Sequence, residues 1–121
     1  MNRNATAVWN GSGKEGNGHL TTQSGVLKET QYSFNSRFES GIGTNPEELL
    51  AAAEASCYSM ALSGSLEKAG ATPKKIDTKA ACTVEKTDAG MTITNIKLDV
   101  TVSADGISAE ELQKVARATA D

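Results

Sequence analysis

The stretch NPEELLAAAEASCYSMAL, Asn45 to Leu62, constrains this chain more than any other. Asn45 suits a helix N-cap, Pro46 suits the first helical position, and Glu48 completes a capping-box pattern. Strong helix formers continue to Ala69, and Gly70 is placed to end the helix. Apolar side chains along it point in nearly every direction. That pattern predicts a long central helix, buried on several sides, at the core of the domain. A single cysteine, Cys57, sits in its middle.

The segments on either side read as strands. Ala5, Ala7 and Trp9 fall on one side of a first strand, Thr6 and Val8 on the other. After GSGKEGNG come HLTTQSGVL and QYSFNSRFE. Period-two alternation in the last puts Tyr32, Phe34, Ser36 and Phe38 on one face and Ser33, Asn35 and Arg37 on the other. A three-stranded antiparallel meander follows from this pattern. Downstream, IDTKAACTVEK sends Ala80, Cys82 and Val84 one way and Lys79, Thr83 and Glu85 the other. TDAG makes a turn, and MTITNIKLDVTVSA returns. The apolar phase shifts between Ile93 and Ile96, which predicts a bulge near Thr94 or Asn95. Ser108, with Glu111 three residues on, caps a second helix that continues to Asp121 without a C-cap signal. The fold class is therefore α+β: an N-terminal β-meander, a long central helix, a β-hairpin and a second helix.

Composition removes several function classes. The 121 residues suit one domain, and a mixed charge of net -3 offers no basic stripe for nucleic acid or anionic lipid. No apolar run approaches the roughly 20 residues that span a bilayer. MNRNATAVWN lacks the apolar centre of a secretion signal, so a cytoplasmic protein is the default. With one histidine and no Cys-x-x-Cys pair, neither a metal nor another cofactor is expected. Gly11, Gly13 and Gly16 fit G-x-G-x-x-G, but in a nucleotide site those glycines open a helix. Here strand-like HLTTQ follows, so the segment reads as a hairpin loop, with His19 an ordinary surface residue beside it.

Cys57 has two readings. An unpaired cysteine packs like a small hydrophobe; a reactive one needs a cation nearby to favour its thiolate. Arg37 is the candidate cation, the alternative being an exposed arginine paired with Glu39. Glu48 is occupied by the capping box, which leaves Glu47 to reach a partner such as Arg37. Yet Glu47 lies ten residues before Cys57, about 15 Å along a continuous helix. Either the helix breaks, or the three residues meet across a dimer interface. Cys82 shares the alternating face of Ala80 and Val84, which argues for packing rather than a redox couple with Cys57.

QYSFNSRFESGIGTNPEELLAAAEASCYSMAL resembles the signature region of the OsmC/Ohr family, the osmotically inducible and organic hydroperoxide resistance proteins. Y-x-F-N-x-R-F-E is similar to the OsmC branch in particular. The resemblance extends over essentially the whole chain and implies a thiol peroxidase of oxidative and osmotic stress defence, built as an intertwined homodimer with its sites at the interface. It implies that Cys57 is the peroxidatic cysteine, Arg37 the residue that activates it, and Glu47, in preference to Glu48, the carboxylate that orients Arg37. The implied substrate is an organic hydroperoxide, with Met60 and Tyr58 near the thiol favouring greasy ones. The implied reductant is a dithiol such as a lipoylated protein. The family's resolving cysteine lies in a Cys-Pro motif on the late helix, about where this sequence ends at Asp121. Cys82 does not match that motif, so no resolving cysteine is assigned, and residues 1–121 read as a single domain lacking the family's C-terminal segment. A non-catalytic dimer of the same fold, binding a small apolar ligand at the interface, is the competing expectation.

Overall fold

Contacts divide the chain into two units, Met1–Leu49 and Leu50–Asp121, in a computed structural model that describes residues 1–38 and 41–120. The first unit holds β1 (Ala5–Asn10), β2 (Asn17–Thr22) and β3 (Thr30–Ser33), paired antiparallel in that order. Trp9 stands opposite Gly18, and Gly18 opposite Tyr32. The expected meander is present. The G-x-G-x-x-G segment closes the β1–β2 hairpin, with Gly16 N–H donating to Ser12 O at 2.8 Å, and β2 follows where a nucleotide site would open a helix. His19 lies half-buried on β2.

The third strand is shorter than its alternation predicts. It ends at Ser33, and Phe34–Phe38 form one helical turn, α1. Local polar chemistry overrides the period-two pattern. Ser33 N–H donates to Ser36 Oγ at 2.7 Å, and Ser36 N–H donates to Ser33 Oγ at 3.3 Å. This reciprocal cap offers the backbone a helical alternative to the ladder. Asn45 Nδ2 then donates to Ser36 O at 2.8 Å. The side chain of Phe38, and all of Glu39 and Asp121, lie outside the described residues.

One helix, α2 (Pro46–Lys68), begins in the first unit and continues in the second without a break. Asn45 caps it as the sequence predicts, but the Glu48 carboxylate turns to Thr44 Oγ1 and does not complete the expected capping box. Glu48 N–H donates to Asn45 Oδ1 at 2.7 Å. At the other end Ala71 N–H reaches Leu66 O and Gly70 N–H reaches Glu67 O, with Gly70 at φ +86°. That bond pair is a Schellman motif, and Ala71 and Leu66 are both buried, as its apolar contact requires.

In the second unit, β4 (Thr72–Thr87) and β5 (Gly90–Asp105) form a long antiparallel ribbon, followed by α3 (Ala109–Ala120). Thr83 pairs with Asn95 and Val84 with Ile93, so Thr94 is the extra residue of the expected bulge. Glu111 N–H donates to Ser108 Oγ at 3.2 Å, the expected cap of α3. The core gathers Tyr58, Leu62 and Leu66 from one stripe of α2, with Ala71. Ile76, Leu98, Val100 and Val102 of the ribbon and Leu112 and Val115 of α3 pack against it. Full burial of Leu62 and Leu66 contributes roughly 1.5–3 kcal/mol for each side chain.

The long helix does supply the core, buried at Tyr58, Leu62 and Leu66 and half-buried at Ala55, Ser59 and Ser63 beside them. Leu50 (44% exposed) and Met60 (76% exposed) look outward, with Ala53, Cys57 and Ala61 also exposed. The expectation of cover on several sides needs correction for the single chain. No helix among the described residues is long and apolar enough to cross a membrane.

Candidate active site

Arg37 owes its position to the α1 turn. On an extended strand it would point away from Phe34, three residues earlier. On a helical turn, residues three apart share a side. Arg37 and Phe34 accordingly line one pocket of about 280 Å³ with Trp9, Tyr32 and Pro46. This corrects the strand reading, which set Arg37 opposite Tyr32 and Phe34.

Arg37 Nε donates to Glu47 Oε1 at 2.7 Å, with the arginine side chain 40% exposed and the glutamate side chain 11%. A charged hydrogen bond of this length, shielded on one side, fixes the guanidinium better than an exposed ion pair does. Glu47 stands in the first turn of α2, where the helix dipole favours a carboxylate. Its neighbour is occupied elsewhere: Glu48 Oε2 accepts from Thr44 Oγ1 at 2.7 Å. The paired carboxylates divide their tasks, and Glu47 is the one on Arg37. Glu47 Oε2 is buried and meets no hydrogen-bond donor among the described residues.

Cys57 is a free, exposed cysteine in the middle of α2. Packing within its own chain therefore does not explain it. Leu50, Ala53, Cys57, Met60 and Ala61 follow the i, i+3, i+7, i+10, i+11 spacing of one apolar stripe, separate from the buried one. Tyr58 belongs to the buried stripe, about 100° around the helix from Cys57. Its hydroxyl donates to Ala116 O at 2.8 Å, and burial pushes its phenol pKa up. Tyr58 is thus committed to the core and does not join Cys57 as a substrate contact, contrary to expectation.

Cys82 lies half-buried on β4, opposite Ile96. Ser59 hydrogen-bonds Thr78, on the same face of β4 as Cys82, at 2.7 Å. That bond marks the side of α2 turned to the ribbon. Cys57, two residues before Ser59, points about 200° away from it. The arrangement does not bring the two thiols of one chain together. Among the described residues no group of three or more His, Cys, Asp or Glu side chains is placed to hold a metal.

Sequence reasoning did not single out Trp9 and Tyr32 as pocket residues. Their common register on Gly18 was the available signal, but it needed the strand pairing to be read.

Comparison with known proteins places these features in context. The OsmC-like protein family profile matches residues 39–121. Peroxiredoxin OsmC of Escherichia coli is 50% identical over 109 residues, which cover 90% of this chain and 76% of that protein. The crystal structure of the organic hydroperoxide resistance protein OhrB of Bacillus subtilis aligns with a TM-score of 0.67 at 24% identity, covering 96% of this chain and 82% of that one. An organic hydroperoxide resistance protein from Elizabethkingia anophelis aligns with a TM-score of 0.72 at 22% identity, covering 98% and 81%. These two likenesses bear on the fold. With the profile matched over residues 39–121 and half its aligned residues shared with peroxiredoxin OsmC, the chain belongs to the OsmC-like family.

Proposed function

We propose that the protein is a cysteine-based peroxidase reducing organic hydroperoxides to alcohols, working as a homodimer in which Arg37 and Glu47 of one subunit face the partner subunit's Cys57. The observation that carries this reading is the exposure of Cys57 on an apolar stripe that its own chain leaves bare. A mid-helix cysteine packed for stability would be buried. The unbroken α2 supports the dimer, because ten residues separate Glu47 from Cys57, about 15 Å of helical rise. The 50% identity to a peroxiredoxin supports the chemistry.

The reaction follows from the groups present. The Cys57 thiolate attacks the terminal oxygen of the hydroperoxide, forming an S–O bond as the O–O bond breaks. Sulfur loses two electrons and becomes the sulfenic acid, while the peroxide is reduced to an alkoxide that takes up a proton and leaves as the alcohol. Arg37 favours the thiolate and stabilises the negative charge that develops on the leaving oxygen. Glu47 keeps the guanidinium aimed. A dithiol, such as a lipoylated protein, returns the sulfenic acid to the thiol, releasing water and becoming a disulfide.

Arg37→Ala tests the assignment. Single-turnover oxidation by cumene hydroperoxide should slow at least about 100-fold. Arg37→Lys, which keeps the charge but loses the planar fork, should fall between. An unchanged rate in Arg37→Ala would remove the mechanism.

A further inference from the structure

The pocket beside Arg37 has a wall whose construction points to a second task. Trp9 and Tyr32 reach across β2 from opposite sides and meet with ring centroids 5.3 Å apart, tilted by 49°. Gly18 lies buried beneath them. A Cβ there would stand 2.8 Å from Trp9 Cε3 and 2.9 Å from Tyr32 Cε1, so this approach of the rings requires glycine. The indole N–H is already used, donating to Ser12 O at 3.2 Å. What Trp9 still presents is apolar carbon, and it remains 36% exposed on a strand with no buried residue. Aromatic pairs of this kind offer a large, stiff apolar surface. At about 280 Å³, the pocket lies near the roughly 300 Å³ lower end of small-ligand sites. Its lining combines the Trp9, Tyr32 and Phe34 rings with Arg37.

We propose that Trp9 and Tyr32, seated over Gly18, form the specificity wall that holds the organic group of the hydroperoxide while its oxygens lie toward Arg37. This rests on the proposed peroxidase reading and deepens it. Selection against hydrogen peroxide then arises in the first unit, at Trp9, and not from the neighbours of Cys57 on α2. Hydrogen peroxide has no organic group to place there, so its reaction does not depend on the wall.

Trp9 is the chain's single tryptophan and reports on the pocket directly. In the non-reacting Cys57→Ser protein, the product alcohol 2-phenyl-2-propanol should change the Trp9 emission saturably, and Tyr32→Ala should weaken that binding. With Cys57 present, Trp9→Ala should raise KM for cumene hydroperoxide about tenfold and leave the hydrogen peroxide rate constant within about twofold. Trp9→Phe should restore most of the loss. No saturable change with the alcohol would overturn the proposal, as would equal losses with both peroxides. Dissociation of the dimer by Trp9→Ala, with an unchanged preference between peroxides, would overturn it too and assign the pocket to subunit contact. If wild-type Cys57 reacts with neither peroxide, the peroxidase reading fails, whereas the alcohol experiment still decides whether the wall binds an organic group.

Discussion

Two stripes of the same helix have opposite fates. Tyr58, Leu62 and Leu66 are buried against the β4–β5 ribbon and α3. Leu50, Ala53, Cys57 and Met60, equally apolar, are exposed. The first stripe is spaced i, i+4, i+8 and ends on the Schellman motif at Leu66 and Ala71. It is complete within one chain. The second carries the one cysteine of the helix and is exposed among the described residues. Contiguous exposed apolar surface is what interaction sites are made of, and the proposed dimer would cover this stripe. The difference separates what holds the chain together from what, in the proposed dimer, it would offer to a partner and a substrate.

Substitutions on the two stripes should therefore separate stability from association. Leu62→Ala removes a fully buried side chain from the first stripe and should cost about 2–5 kcal/mol in urea unfolding. A loss under about 1 kcal/mol would mean that this stripe is not the core.

Tyr58→Phe should cost about 1 kcal/mol, because it removes the hydrogen bond to Ala116 but leaves the ring in place. It should also alter the response to alkali. Burial holds the Tyr58 phenol above its ordinary value of 10.0. The native state thus keeps a proton that the unfolded chain releases. The corresponding stability is fully present below pH 10.0 and is lost as the pH rises through the native pKa. Unfolding at about pH 8 and about pH 11 should show this part of the alkaline loss in wild type and not in Tyr58→Phe. An identical slope in both would contradict the burial of the phenol.

The smallest effect on the fold belongs to the second stripe. Met60→Ser should change the stability of the separated subunit by no more than about 0.5 kcal/mol, yet weaken self-association in sedimentation equilibrium. A loss as large as that of Leu62→Ala, with association unchanged, would place Met60 in an intramolecular core and erase the contrast between the stripes.

The same contrast explains how much the sequence discloses. Asn45, Glu48, Gly70 and Ser108 announce helix ends because capping is local, and the bulge at Thr94 shows as a slip in alternation. The α1 turn is harder to read. Tyr32, Phe34 and Ser36 alternate as a strand would, while the reciprocal serine cap that ends the strand depends on hydroxyl geometry. That single turn moves Arg37 to the side of Phe34. The Arg37–Glu47 pairing was expected from the resemblance, with Glu48 set aside for a capping box; the Glu48 carboxylate is indeed occupied elsewhere, but on Thr44 and not on the cap. The exposure of Cys57 was not legible. An all-round apolar helix looks the same in sequence whether its second face is covered by its own chain or by another. Resemblance to the OsmC/Ohr signature pointed to Cys57, Arg37 and Glu47, and the fold shows that Arg37 and Glu47 are hydrogen-bonded within one chain.

The most direct measurement is the loss of titratable thiol on adding stoichiometric cumene hydroperoxide or hydrogen peroxide to the folded protein, in wild type and in Cys57→Ser. One thiol per chain should disappear rapidly with the organic peroxide and more slowly with hydrogen peroxide, and Cys57→Ser should lose none. If Cys57 survives both oxidants in the folded protein, or if Cys82 is the thiol consumed, the account of Cys57 as the peroxidatic residue is contradicted.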